Sequence, residues 1–237
     1  MNFGVIRGDV CVVIVLVAVF CLGCGTGEYR ERVERGLTQS KLQAEFDSLQ
    51  PPKPIGDTPF TIRPPKLFKQ SPDVTAETMV ERTFAPFGAL PEGDASTWSY
   101  EGFIEDGGGG KMPFYLATAV RDMEGFEGQE PFGMLRTSLE AVCGESLGQW
   151  ETVTCRTPQG GTVEWKKIRG TAQQEFYYTD GKGKSMNLPM AGLIEVYARN
   201  ESGFLVVLGW RMPTSIEQNV GLHDLGPKVA GTLAVGR

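Results

Sequence analysis

The chain has 237 residues, a length that fits one large domain or two small ones. Its 23 basic and 29 acidic side chains give a formal charge of −6, and this acidity argues against a nucleic-acid partner, which requires a basic face against the phosphates. Hydrophobic residues make up 41% and charged residues 22% of the chain, so it is not wholly disordered.

The first predicted element is an export signal. Residues 10–22 form a run of thirteen residues without a charge, which is shorter than the roughly 20 apolar residues that span a bilayer and typical of the core of a signal peptide. The run ends in Leu22-Gly23-Cys24, with Cys21 before it. These residues resemble the lipobox of bacterial lipoproteins, in which a small residue precedes an invariant cysteine. The resemblance implies a signal peptide over residues 1–23, cleavage before Cys24, and a diacylglycerol on its sulfur, usually with an acyl chain such as palmitate on the new amine.

Lipid on Cys24 would determine where the protein resides. Each buried CH₂ contributes about 0.8 kcal/mol, so two or three acyl chains hold a protein at a membrane almost permanently. The implied location is the bacterial cell membrane or the outer membrane, with the protein facing the periplasm or the cell exterior. The alternatives are an ordinary secretory signal with a coincidental cysteine and a short uncleaved membrane anchor.

Residues 24–59 are predicted to form a lipid-anchored stalk helix followed by a proline-rich linker. Helical spacing over residues 28–50 is shown by Tyr29, Val33, Leu37, Leu42, Phe46 and Leu49. Charges of alternating sign over residues 28–35 favour a solvated stalk, and the sharper alternative is a helix that packs on a partner or on its own copy. Seven prolines between residues 51 and 72 predict a semi-rigid spacer over about residues 50–75. Its apolar residues that could dock on the domain are Phe60, Ile62, Leu67 and Phe68.

Residues 60–237 are predicted to form a single globular domain. Strands are expected at residues 98–105, 112–122, 150–157, 162–169, 172–179, 192–199 and 204–211, with helices at 131–143 and, in one or two pieces, across 216–233. Consecutive hairpins leave little room for crossover helices, so the fold class is α+β, a mainly antiparallel sheet with helices packed on it. This order of elements is similar to the PsbP-like fold, a resemblance that implies a sandwich and a binding or assembly role more often than catalysis.

One motif suggests catalysis. Residues 144–148 match G-x-S-x-G, the nucleophile elbow of serine hydrolases, in which a strand precedes the serine and a helix follows it. Here the predicted order is reversed, and His223 is the one histidine in the sequence that could act as a base. We therefore expect no catalytic residue, and an envelope serine hydrolase that uses Ser146 and His223 is the alternative function.

Other ligand motifs are weaker. The glycine-lysine pairs at 110–111 and 183–184 lack the earlier glycine of a phosphate-binding loop, so both are predicted to be hairpin turns. One histidine and two scattered thiols favour no zinc site, and we expect neither a metal nor a cofactor.

Besides Cys24, the mature chain would have two cysteines, Cys143 and Cys155, which lie twelve positions apart. An exported protein can form a disulfide, and a loop of this length would gain roughly 3 kcal/mol. The alternative is two buried free thiols, each acting as a small apolar side chain.

The sequence as a whole predicts a membrane-anchored, exported lipoprotein of the cell envelope. The role that fits it best is a non-catalytic binding, accessory or assembly module. Its partners would be membrane lipid through acylated Cys24 and an envelope protein or small-molecule ligand that the sequence does not identify.

Overall fold

The computed structural model describes residues 26–70, 96–105, 108–124 and 130–236. The predicted signal peptide and Cys24 lie outside the described residues. The chain divides into two compact units, Met1–Glu45 and Phe46–Arg237. The second unit thus begins before residue 60, where the sequence places the start of the domain.

The first unit contributes one helix, α1 (Thr26–Glu45). Its sequence is rich in Glu, Arg, Gln and Leu, which are good helix formers, and an ion pair one turn apart joins Arg35 to Glu31 at 2.9 Å. The predicted helix was longer, to residue 50. Instead Leu49 forms a β-bridge with Pro65, and Arg63 Nε donates to the Gln50 carbonyl at 2.8 Å, so this stretch is bound to the proline-rich segment.

The second unit contains a seven-stranded sheet in which every neighbouring pair is antiparallel. The α+β class predicted from the sequence is therefore confirmed. The strands are β3 (Lys69–Gln70), β4 (Ser96–Glu105), β5 (Lys111–Asp122), β6 (Glu151–Arg156), β7 (Thr162–Thr179), β8 (Ser185–Glu201) and β9 (Phe204–Pro213). Their order across the sheet is β3-β4-β5-β9-β8-β7-β6.

Strands β7 and β8 are much longer than predicted. Strand β7 continues through Gly170, where the sequence suggested a break between two strands. A Cβ at Gly170 would lie 2.9 Å from Cys143 Sγ, so this glycine gives a helix room to approach the sheet rather than ending the strand. The β8–β9 hairpin forms at the predicted place, with positive φ at Ser202 and Gly203 in its two-residue turn.

The long hairpin of β7 and β8 rolls the sheet into a ring at one end. Lys111 at the start of β5 pairs with Thr179 at the end of β7, so β5, β9, β8 and β7 are joined in a closed circuit. The hairpin tips meet closely there, because a Cβ at Gly181 would lie 2.7 Å from the Gly108 carbonyl oxygen. A closed circuit leaves fewer strand edges open to other chains.

One face of the sheet is covered by α2 (Pro131–Cys143), which has the bounds predicted from the sequence. Its inward side chains, Leu135, Leu139 and Cys143, pack in one core cluster with Ile168, Val196 and other residues of the sheet. The burial of this cluster is the main apolar contribution that fixes α2.

The opposite face is covered by the proline-rich segment and the C-terminal elements. Strands β1 (Lys53–Pro54), β2 (Phe60–Ile62) and β10 (Ala234–Val235) form a small second sheet. Phe60 packs edge-on against Phe204 with ring centroids 5.4 Å apart, and Phe68 contacts Phe114 at 4.7 Å. The predicted docking of Phe60, Ile62 and Phe68 is confirmed because all three are buried, whereas Leu67 is exposed.

The C-terminal pieces are a 3₁₀ turn, α3 (Glu217–Val220) and α4 (Leu222–Ala230). The break between the helices lies at Gly221, which has a left-handed φ of 64°; such a glycine commonly ends a helix. Pro227 lies inside α4 and not at its start.

Candidate functional site

The most unusual chemical group in the second unit is Glu195, a carboxylate with 2% exposure in the middle of β8. The Tyr197 hydroxyl donates a hydrogen bond to Glu195 Oε1 at 2.8 Å. Two cations approach the other carboxylate oxygen, Lys167 Nζ at 3.8 Å and Arg169 at 4.0 Å. A buried charge of this kind is retained when it is paired and hydrogen-bonded.

Strand register brings these groups together. Lys167 lies opposite Tyr197 and Arg169 lies opposite Glu195 in the β7–β8 pair, so all four side chains share one face of the sheet. Two further carboxylates complete the group: Glu151 binds Lys167 at 2.9 Å, and Glu217 of α3 accepts two hydrogen bonds from Arg169 at 2.8 and 2.7 Å. We call these six side chains the Glu195 network: Glu151, Lys167, Arg169, Glu195, Tyr197 and Glu217.

The electrostatics of the Glu195 network follow from its burial. Burial raises the pKa of Glu195, while the Tyr197 hydrogen bond and the two cations lower it. Burial and the adjacent carboxylate raise the pKa of Tyr197. The hydrogen bonds from Arg169 to Glu217 raise the pKa of the guanidinium. Tyr197 therefore remains a neutral donor at every physiological pH.

The accessibility of the Glu195 network to a substrate determines whether it can take part in catalysis. Tyr197 is 0% exposed, and helix α4 lies directly against it, because a Cβ at Gly226 would be 2.5 Å from the tyrosine oxygen and 3.2 Å from Glu195 Oε1. A substrate cannot reach the carboxylate while α4 is in place. The network therefore links the C-terminal helices to the sheet.

A second polar cluster lies inside the rolled end of the sheet, on the other face. The Arg211 guanidinium carbon lies 5.5 Å from the centre of the Tyr115 ring and 4.7 Å from that of Phe176. Its nitrogens donate to Gln174 Oε1 and to the Glu175 carbonyl oxygen. Burial lowers the pKa of Arg211. The cluster holds the β7–β8 hairpin against β5 and β9.

Ser146 does not have the environment of a hydrolase nucleophile. It lies in a 3₁₀ turn after α2, where its Oγ accepts from the Thr171 N–H at 3.1 Å and donates to the Cys143 carbonyl at 2.7 Å. The hydroxyl thus bonds to the backbone of β7 at Thr171, four residues beyond Lys167, where the pairing of β7 with β6 ends. His223 lies in α4, 96% exposed in its side chain, with Asp224 at 3.2 Å. Ser146 belongs to the face with α2 and His223 to the helix on the opposite face, so the structure does not bring them together.

The disulfide between Cys143 and Cys155 is not formed. Both are buried free thiols. Cys143 belongs to the α2 cluster with Ile168. Cys155 lies on the opposite face, where the charge of Lys167 lowers the pKa of Cys155 and Cys155 in turn raises that of Tyr197, so the sheet separates the two sulfurs. Burial raises the pKa of Cys155 to about 11.

The remaining candidates have simple structures. The glycine-lysine pairs form the ends of the β4–β5 and β7–β8 hairpins, as predicted, with Glu105 opposite Lys111 and Thr179 opposite Ser185. Within residues 26–70, 96–105, 108–124 and 130–236, no three His, Cys, Asp or Glu side chains are close enough to share a metal ion.

Sequence reasoning missed Glu195 and Arg211. A signal was present for each, because Glu195 interrupts the apolar run of residues 193–198 and Arg211 follows one at 204–210. An ionisable residue at the centre of an apolar strand predicts a buried polar contact. The sequence does not give the partners, which come from other strands.

No protein-family model matches the chain, and no curated protein matches it. Among solved structures, it is similar to the Saccharomyces cerevisiae Ran-binding protein Mog1p, at 14% identity and a TM-score of 0.37, over 78% of this chain and 95% of that chain. A mutant of protein Mog1 matches at the same identity and TM-score, over 78% and 96%. A Bacteroides thetaiotaomicron VPI-5482 protein matches at 12% identity and a TM-score of 0.25, over 59% of this chain and 46% of that chain.

At these TM-scores no function is transferred from those proteins. In the part of the chain that the structure describes, none of the helices is both long and apolar enough to span a bilayer.

Proposed function

We propose that this chain is an exported bacterial lipoprotein, held at a membrane by lipid on Cys24, whose folded unit is a non-catalytic binding or envelope accessory module. The observation that carries the proposal is the uncharged run of residues 10–22 followed directly by Leu22-Gly23-Cys24. That pattern fits a signal-peptide core followed by an acylated cysteine, and two or more acyl chains are required for stable anchoring.

The folded unit supports a binding role over catalysis through its reactive groups. The Ser146 hydroxyl bonds to backbone, Glu195 is covered by α4, and the thiols of Cys143 and Cys155 are buried. Each of these groups is committed to the packing of the sheet or its helices. A role in which the surface of the unit contacts an envelope protein or a small molecule fits this chemistry best.

The decisive measurement is the mass of the N-terminal peptide of the mature protein, purified from the membrane fraction of an expressing bacterium. We expect a peptide that begins at Cys24 and carries diacylglycerol. Cys24→Ser should abolish the lipid mass and processing at this site, and the matched Cys21→Ser should leave both intact. A bare Cys24, or a mature chain that begins beyond it, refutes the anchor.

The catalytic alternative has its own test. A fluorophosphonate probe labels activated serines, so we expect no labelling of the intact protein above that of Ser146→Ala. Labelling that disappears in Ser146→Ala would replace the binding module with a serine hydrolase.

A further inference from the structure

Helix α1 has an apolar stripe that faces solvent. Tyr29 is 69%, Val33 40% and Leu37 58% exposed. Residues four apart lie about 40° apart around a helix axis, so the three side chains share one face about 80° wide. Gly36 lies on this same face, and a Cβ there would meet nothing within 4 Å. Three large, exposed apolar side chains on one face of a helix form a surface suited to docking.

The charges around the stripe indicate which occupant fits. Counted at about 100° per residue, Arg30 and Lys41 project about 60° and 80° from Val33, on the same edge of the stripe. Farther round the helix, Glu31, Glu34 and Glu45 project about 100–160° from Val33. Both cations are exposed. An apolar face with two cations along one edge, and carboxylates farther round the helix, complements the surface of an anionic bilayer.

A second copy of the helix fits less well. Coiled-coil pairing requires apolar residues at an average spacing of 3.5, whereas these are spaced four and four, so the stripe turns away from a parallel partner. Pairing would also bring the Arg30 and Lys41 borders of two copies close together, which is unfavourable for like charges.

We propose that α1 lies flat on an anionic phospholipid surface, with Tyr29, Val33 and Leu37 in the interface and Arg30 and Lys41 against lipid phosphates. The proposal rests on the proposed function in one respect, since lipid on Cys24, two residues before Thr26, brings the helix to the membrane. A helix rises about 1.5 Å per residue, so an upright stalk would place Leu37 about 12 Å farther from the bilayer than Tyr29. Only a flat helix brings all three to the interface together.

The test uses the lipidated full-length protein with one added cysteine, labelled with an environment-sensitive fluorophore and reconstituted into vesicles of phosphatidylcholine with about 30% phosphatidylglycerol and spin-labelled lipid as quencher. The two sites compared are Leu37→Cys on the stripe and Thr38→Cys about 100° away at the same height. Cys143 and Cys155 are buried, and the protein without an added cysteine gives their background. We expect quenching at position 37 at least about twofold stronger than at 38, with a blue-shifted emission.

Charge variants test the borders. Arg30→Gln with Lys41→Gln should reduce the quenching at position 37, whereas Arg35→Gln, on the opposite side of the helix and paired with Glu31, should not. Replacing phosphatidylglycerol with phosphatidylcholine should have the effect of the first change.

The outcomes separate this proposal from the anchor. Protein that floats with the vesicles but shows equal, weak quenching at both positions refutes the flat helix and leaves the lipid anchor standing. Protein that does not float with the vesicles refutes both. A label at position 37 that forms disulfides between copies without quenching shows that a second copy occupies the stripe, and also overturns the proposal.

Discussion

Replacing Tyr197 with phenylalanine removes one hydroxyl from the Glu195 network and leaves the ring in place. The hydroxyl donates at 2.8 Å to a carboxylate that is 2% exposed, and a hydrogen bond to a charged group contributes about 1.5–3 kcal/mol. We therefore expect Tyr197→Phe to lower the free energy of unfolding by about 2 kcal/mol, or the Tm by about 4–8 °C for a domain of this size. Urea unfolding followed by the fluorescence of the buried Trp165 and Trp210 measures the loss.

The loss should depend on pH in a defined direction. The Tyr197 hydrogen bond favours the ionised form of Glu195, so its removal raises the Glu195 pKa, which burial already raises. A folded-state pKa above the unfolded value means that the folded protein binds more protons, so stability falls as pH rises from about 4.3 through the folded-state pKa. The difference in unfolding free energy between the wild type and Tyr197→Phe should therefore be larger above that pKa than at lower pH.

A double-mutant cycle isolates the charged hydrogen bond. Glu195→Gln keeps an acceptor for Tyr197 and removes the charge, so Tyr197→Phe should lower stability by about 1 kcal/mol less in that background. An equal loss in both backgrounds, without pH dependence, would show that Tyr197 acts through packing alone and would refute the assignment of Glu195 as a buried ion.

Two further substitutions and one measurement on the unchanged protein test the rest of the structure. Ser146→Ala should lower the free energy of unfolding by about 1 kcal/mol in urea titrations, because its hydroxyl bonds to backbone. Intact masses with and without reductant should agree, since Cys143 and Cys155 are free, and iodoacetamide should modify Cys155 at neutral pH only after unfolding, because its pKa is about 11. Gly226→Ala should lower the Tm despite the helix preference for alanine, because the Cβ would lie 2.5 Å from the Tyr197 oxygen; Tyr197→Phe should partly restore it.

The features that were predictable from the sequence are those determined by local pattern. Apolar spacing with a following glycine predicted α2 as residues 131–143, the bounds that the structure has. Turn residues located the hairpin at 200–203, where Ser202 and Gly203 adopt positive φ. Hairpin after hairpin implies an antiparallel sheet, which is why the fold class could be derived without knowing the strand order.

The features that were not predictable depend on register and on contacts between distant strands. Lys167 meets Tyr197 thirty residues along the chain because β7 and β8 pair in one register, and a shift of one residue would turn one of them to the other face. Cys143 and Cys155 illustrate the same point, since their short separation suggested a disulfide and the sheet between them prevents it. Gly170 suggests a strand break in the sequence, because its actual role, leaving space for Cys143, exists only after α2 has docked.

In the Glu195 network, the raised pKa of Glu195 reflects a structural role and not a catalytic one. A buried carboxylate beside two cations is often a catalytic group, yet here helix α4 covers it and the Arg169–Glu217 pair joins the sheet to α3. Buried ion pairs add little net stability compared with apolar residues of the same volume, while removal of one partner is costly. The C-terminal helices are therefore fixed in one placement, because a shifted placement would separate Arg169 from Glu217 and uncover Glu195.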